Sequence, residues 1–209
     1  MPYQVMYEAD FVEQRHRGTT FFRWLLAIPL FIWGALWSIA VEVVVVIAWF
    51  ALLFTGRYPQ GLYNFVASYL RFSGRALGYV NVMTDAYLAF GGADDPSYPV
   101  RVSVAPPLPK YGRWRVFLRL PIAVLGLAVS YFGFATVLAV ASSMPLVRWI
   151  VIVNDGRARQ SLQRVTWVYN AFSIRVTAWA FLVAQDLPPF LSEWQRSAMP
   201  PPEAGTLAA

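Results

Sequence analysis

Two long stretches of this sequence carry almost no charge, and that limits the folds open to it more than any other feature. Trp24 to Phe54 is a run of 31 residues whose only charged side chain is Glu42, and Leu120 to Val147 is a run of 28 residues with none. About 20 apolar residues already carry a helix across the hydrocarbon core of a bilayer, so each run exceeds what a buried soluble helix requires. Composition agrees: 58% of residues are hydrophobic and 13% charged, against roughly 45–50% and 25% in soluble domains. The chain reads as an all-α integral membrane protein.

The first twenty residues, MPYQVMYEADFVEQRHRGTT, are polar and mixed in charge. The run behind them is longer than the roughly 7–15 residues of a signal-peptide core, so it is expected to act as its own insertion signal. Cysteine is absent and histidine occurs once, at His16. That excludes disulfides, thiolate chemistry and Cys- or His-rich metal sites. Asp94-Asp95 stands in the linker Gly91-Gly92-Ala93-Asp94-Asp95-Pro96 and reads as a solvated turn rather than a carboxylate pair. No catalytic residue, cofactor site or metal site is expected, and the chain is not read as an enzyme. The net charge of +6 flanks the apolar runs, which suits an anionic lipid surface and not nucleic acid.

The chain also aligns with itself. At an offset of 100, GRYPQGLYNFVASYLRFSGR from Gly56 meets GRARQSLQRVTWVYNAFSIR from Gly156, and Gly56, Arg57, Gln60, Leu62, Tyr69, Phe72, Ser73 and Arg75 all recur. Upstream an offset of 92 sets Arg23, Leu26, Pro29, Gly34 and Ser38 against Arg115, Leu118, Pro121, Gly126 and Ser130. Two tandem membrane repeats follow, at 1–92 and 93–194, with a Pro- and Ala-rich tail at 195–209. Internal repeats of this kind are common in membrane proteins.

Each repeat has four parts. A short alternating segment (Tyr3–Tyr7, Tyr98–Val104) reads as a surface β-strand, and the two are expected to pair. The apolar run follows, with Pro29 or Pro121 near its start. A Gly-Arg exit comes next, at Gly56-Arg57 and Gly156-Arg157. Last is an amphipathic helix whose polar stripe in the first repeat is Gln60, Asn64, Ser68, Arg71, Arg75 and Gly78. Such a helix is of the kind that lies in the membrane interface; packing on the protein's own hairpin is the other reading, and both can hold at once. In the first case Arg57, Arg71, Arg75, Arg157, Arg164 and Arg175 are the expected contacts to lipid headgroups.

Every Lys and Arg lies outside the two runs. If each run crossed once, residues 55–119 would be external and would hold eight basic residues, against the positive-inside tendency. A helical hairpin in each run keeps all of them cytoplasmic. It also answers the length problem, since 31 helical residues span about 46 Å against a hydrocarbon core of about 30 Å. Two hairpins are therefore expected, with both termini cytoplasmic and Glu42 at or near the first turn. Ser142-Ser143-Met144-Pro145 would be the second turn. An ion or partner contact is the alternative for Glu42, because intramembrane carboxylates are costly and tend to be functional.

The stretch Ile47-Ala48-Trp49-Phe50-Ala51-Leu52-Leu53-Phe54-Thr55-Gly56-Arg57-Tyr58-Pro59-Gln60-Gly61-Leu62, with Arg71 and Thr84-Asp85-Ala86-Tyr87 behind it, closely resembles the domain-of-unknown-function 4389 family. The resemblance implies a bacterial cytoplasmic-membrane protein, multi-pass and often with two copies, and implies no activity. The first copy lacks the family's closing prolines after Tyr87. The second keeps Leu187-Pro188-Pro189-Phe190 but only Gly156-Arg157 of the T-G-R-Y-P signature.

Two functions are open. The first is a non-catalytic scaffold or accessory subunit that docks on other transmembrane proteins or on a second copy. Its many aromatics and the small residues Gly34, Ala35, Gly126 and Gly133 would allow close helix contact. The alternative is a lipid- or ion-handling protein with a path between the repeats and Glu42 as the polar contact.

Overall fold

The computed structural model describes residues 3–119 and 145–188. Among them run β1 (Val5–Ala9), α1 (Arg17–Phe21), α2 (Arg23–Thr55), α3 (Gln60–Val80), β2 (Val100–Val104) and α4 (Gln160–Ala180). Further helical stretches cover 113–119 and 145–155. The fold is mostly helical, with one small antiparallel sheet.

The first apolar run is a single helix of 33 residues, which overturns the hairpin expected there. A hairpin needs a turn, and the run offers none of the Gly, Pro, Asn or Asp clusters that form one. Pro29 lies inside the helix, in its second turn, and the helix continues past it to Thr55. Gly56 then ends it in the left-handed conformation, φ +69°, and donates its N–H to the Leu52 carbonyl at 2.9 Å. That geometry favours glycine, so the Gly-Arg exit is a helix stop as expected. Glu42 is consequently a mid-helix residue on an exposed flank, not a turn residue. Residues 120–144, which hold most of the second run and the Ser142-Ser143-Met144 turn, lie outside the described residues, as does the tail 195–209.

The strand expectation holds. β1 and β2 pair antiparallel, with Val5 opposite Val104 and Ala9 opposite Val100. Val5, Tyr7, Ala9, Val100 and Val102 point inward and are buried, while Met6, Glu8 and Ser103 face out. This is the period-two alternation of a ribbon with one covered face.

α3 lies between that ribbon and α2, so it packs on the protein's own elements. One of its faces meets the sheet so closely that a Cβ on Gly74 would sit inside the Val102 side chain, and one on Gly78 would lie 2.9 Å from Val100. Only glycine permits that approach. The opposite face, Phe65, Tyr69 and Phe72, packs around Trp37 of α2 at ring separations of 5.4–6.2 Å. The order of layers is thus α2, then α3, then the ribbon. α4 contacts both β1 and α3 and lies in the middle layer.

Contacts between the two halves of the chain occur in matched pairs. The Trp49 indole N–H donates to the Val116 carbonyl at 3.1 Å, and the Trp149 indole to the Thr20 carbonyl at 2.8 Å. Tyr111 donates its N–H to Gly56 at 2.9 Å, and Arg15 to Gly156 at 3.0 Å. Helix ends differ by 100 in these pairs (149 − 49, 156 − 56), but the segments before the apolar runs differ by 96 (116 − 20, 111 − 15). In these contacts the upstream segments are spaced by 96 positions, not by the 92 expected from identities, and a spacing of 96 sets Arg23 against Arg119. Leu, Gly and Pro recur so often in apolar runs that identities alone do not fix the register there.

Candidate functional site

α3 ends in a tight closing turn. The N–H of Asn81 donates to Leu77 and that of Met83 to Gly78, while Val82 adopts the left-handed conformation at φ 60°. The turn aims a group of carbonyls at one point, and helix C-termini carry partial negative charge. Three guanidinium groups converge on them. Arg15 donates to the Met83 carbonyl at 2.7 Å, and Arg148 to that of Val82 at 2.9 Å. Arg23 reaches the carbonyls of Tyr79 at 2.7 Å and Thr84 at 2.6 Å, and the Asp85 carboxylate at 2.6 Å. All three arginines are buried, Arg23 to 1% exposure.

The cluster is supported from every side. The Arg23 guanidinium lies 4.6 Å over the Tyr79 ring, a favourable cation–π placement. Arg148 also donates to Gln163 at 3.1 Å, and Gln163 donates on to the Asp10 carbonyl at 3.0 Å. Beside them Asn81 donates to Asn170 at 2.5 Å, and Asn170 donates to the Tyr7 hydroxyl at 3.2 Å. β1, α2, α3, α4 and the helix over 145–155 all meet in this one network. A related but smaller arrangement closes α4, where Arg119 donates to Trp179 at 3.3 Å and to the Gln185 carbonyl, and its guanidinium lies 5.3 Å from the Trp179 ring.

Three cations face one carboxylate here. Burial lowers the pKa of Arg15 and Arg23, with Asp85 opposing it in each case. Burial, reinforced by Arg15 and Arg23, pushes Arg148 down to about 10. The cluster holds backbone carbonyls and a chain crossing in place. Among the described residues no group of three or more acidic or histidine side chains gathers to hold a metal.

The expected headgroup arginines divide. Arg57, Arg157 and Arg164 are exposed and Arg71 is partly so. Arg75 and Arg175 are each only 4% exposed, and their guanidinium groups lie over the rings of Tyr98 and Tyr3 at 5.9 and 5.4 Å. Those two are inward-facing and are not available to a lipid surface, because their stripe of the helix faces the ribbon. His16 is exposed, and its backbone N–H donates to Asp85 at 3.0 Å. Arg15 and Arg148 carry no motif in the sequence, and Arg23 stands out there only as a position set against Arg115. Their signal was position: Arg23 stands immediately before the first run and Arg148 immediately after the second.

The second feature is the outward face of α2. Its buried positions, Arg23, Ala27, Leu30, Val41, Ala48 and Leu52, form one narrow stripe. The opposite line is Leu25, Ile32, Leu36, Ile39, Val43, Phe50 and Phe54, all exposed and all apolar. α2 is the one helix among the described residues that is long and apolar enough to cross a membrane.

Buried phenols give the molecule a pH limit. Burial raises the pKa of Tyr7, Tyr58, Tyr63 and Tyr98, and takes Tyr3 up to about 12. In the unfolded chain these phenols ionise near pH 10. Each stabilises the fold fully below about pH 10 and withdraws that contribution as pH rises through its folded value. Arg148 acts in the opposite sense from about pH 10, and Arg15, Arg23 and Arg119, which burial also lowers, act in the same direction as Arg148. Against them stand these five phenols together with Tyr69, Tyr79 and Tyr111, which burial raises as well. Resistance to unfolding by SDS in mixed micelles should fall between about pH 10 and 12, with tyrosine ionisation, followed by ultraviolet absorbance, coinciding with unfolding. Undiminished resistance across that interval would contradict the buried positions.

Residues 17–87 match a family model described as Domain of unknown function (DUF4389). The match runs from the start of α1 through α3 to the Thr84-Asp85-Ala86-Tyr87 segment, and so includes Arg23 and Asp85 but not Arg15 or Arg148. No curated protein and no solved structure matches the chain.

Proposed function

We propose that the chain is a non-catalytic integral membrane protein of the bacterial cytoplasmic membrane, acting as a scaffold or accessory subunit of a larger membrane complex. The observation that carries this reading is the outward face of α2: only 17% of its most apolar 18-residue window is buried. An apolar surface running the length of a 33-residue helix needs lipid or another protein to cover it. The two-repeat organisation supports the same reading, since the paired contacts at Trp49 and Trp149, at Gly56 and Gly156, and at Arg23 and Arg119 suit a pseudo-symmetric unit. Both termini are assigned to the cytoplasmic side, with other transmembrane proteins or a second copy as partners. Native mass spectrometry after purification in mild detergent tests this. A defined stoichiometric complex is the expected result, and a lone monomer counts against it.

A lipid- or ion-handling role is the second reading. It is favoured by a groove of about 280 Å³ between α2 and α3, lined by Leu30, Phe31, Gly34, Phe72, Ala76 and Leu77. Its largely apolar lining suits an acyl chain. Liposome flux compared between wild type and Glu42→Gln decides it, and unchanged flux removes Glu42 from any such path.

A further inference from the structure

We infer that α2 lies along the plane of the bilayer surface, sunk into one leaflet, with the β ribbon turned to water. This rests on the membrane reading above and replaces a crossing by an in-plane helix. The layer order carries it. Stacked layers sit about 10 Å apart, so the ribbon lies about 20 Å from the α2 axis, beside the helix rather than beyond either end. If α2 stood across the membrane, the ribbon would lie at the depth of the bilayer interior.

The ribbon is unsuited to that depth. Arg101 donates to both Asp10 carboxylate oxygens at 2.7–2.8 Å and lies 3.5 Å from Glu8, and all three side chains are partly open to solvent. Charged groups facing hydrocarbon are costly, because the bilayer interior cannot replace the water they lose. With α2 in the plane, the same residues face water and no charge is misplaced.

Three further features agree. A 33-residue helix is about 50 Å long, too long for an upright crossing and unlimited in length when it lies flat. Both of its ends are basic: Arg17 lies against Gly156 at the N-terminal end, and Arg113 against Gly56 at the C-terminal end. An in-plane helix brings both groups to the headgroups of a single leaflet, which satisfies the positive-inside tendency without a hairpin. Glu42 sits on a flank of α2, not on the Leu36–Ile39–Val43 line that goes deepest, and from the flank it reaches the interface.

The absence of native cysteine makes the test direct. Nitroxide labels would be placed singly at Leu25→Cys, Ile39→Cys and Phe54→Cys, all on the exposed line. Their depths would be read from oxygen and nickel-chelate collision rates in vesicles of anionic and zwitterionic lipid. Ile39 lies about 21 Å along the axis from Leu25 and slightly more from Phe54. The in-plane arrangement gives three depths within about 5 Å of one another, inside one leaflet. It also gives labelling of Thr19→Cys, Gln60→Cys and Ser103→Cys by an impermeant maleimide from the same side. An Ile39 label more than about 12 Å deeper than the other two overturns the inference, whether or not the ends label from opposite sides. Release of the protein from membranes by alkaline carbonate overturns the membrane reading itself, and this inference with it. A lone monomer in detergent touches only the scaffold role and leaves the depth profile standing.

Discussion

Arg23→Ala should destabilise the protein by about 3–5 kcal/mol, the cost of removing one partner from a buried ion pair. The guanidinium is 1% exposed and satisfies the Tyr79 and Thr84 carbonyls together with Asp85. Its removal takes the side-chain donor from the Thr84 carbonyl, leaves the Tyr79 carbonyl with only the Val82 N–H at 3.0 Å, and takes from Asp85 its direct ion pair. Arg23→Lys should recover only part of the loss, because an ammonium cannot fork between the Tyr79 and Asp85 positions as a guanidinium does. Arg115→Ala is the control. Arg115 also pairs with an aspartate, Asp186 at 2.8 Å, but both side chains are largely exposed, and such pairs contribute about 0–1 kcal/mol. SDS-induced unfolding in mixed micelles, followed by circular dichroism, separates the two. Equal effects of Arg23→Ala and Arg115→Ala would show that the buried cluster does not stabilise the fold.

The largest effect on location is expected from Leu36→Asp combined with Ile39→Asp. Both positions lie on the outermost line of α2 and touch little of the protein interior. The fold in detergent should therefore survive, which circular dichroism checks. Each aspartate costs about 3 kcal/mol or more where an aliphatic side chain met hydrocarbon. Together the two should move the membrane–water partition by about four orders of magnitude, since each 1.4 kcal/mol is a factor of ten. The readout is the fraction of protein floating with liposomes in a density gradient. Ser103→Asp, on the outer face of the ribbon, should leave flotation unchanged. If the double variant floats as well as wild type, the outer line of α2 does not meet lipid.

Much of this was legible from residue order. The strands were visible as alternation and pair as expected, the first displaced by two residues as a whole and the second starting two residues later. The helix stop at Gly56 was visible because a glycine followed a long periodic run. Arg75 shows where that legibility ends. On a helical wheel it belongs to a polar stripe, and polar stripes usually face water, yet it lies 4% exposed over Tyr98. The wheel gives the angle of a side chain about its own axis and is silent on which neighbour occupies that angle. Here glycines at 74 and 78 let the ribbon press against the polar side, and α2 takes the apolar one.

The sequence by itself determined that the chain has a lipid-compatible helix and basic residues only outside its apolar runs. These are properties of composition and local spacing, so they survive any arrangement of the elements. The tertiary structure alone decided that the first run is one helix and that three distant arginines close on the end of α3. Arg15, Arg23 and Arg148 lie up to 133 positions apart (148 − 15), and no local pattern connects them. Carbonyls left bare by a helix end are satisfied by whichever donors the packing brings near, and packing is settled by the whole chain at once.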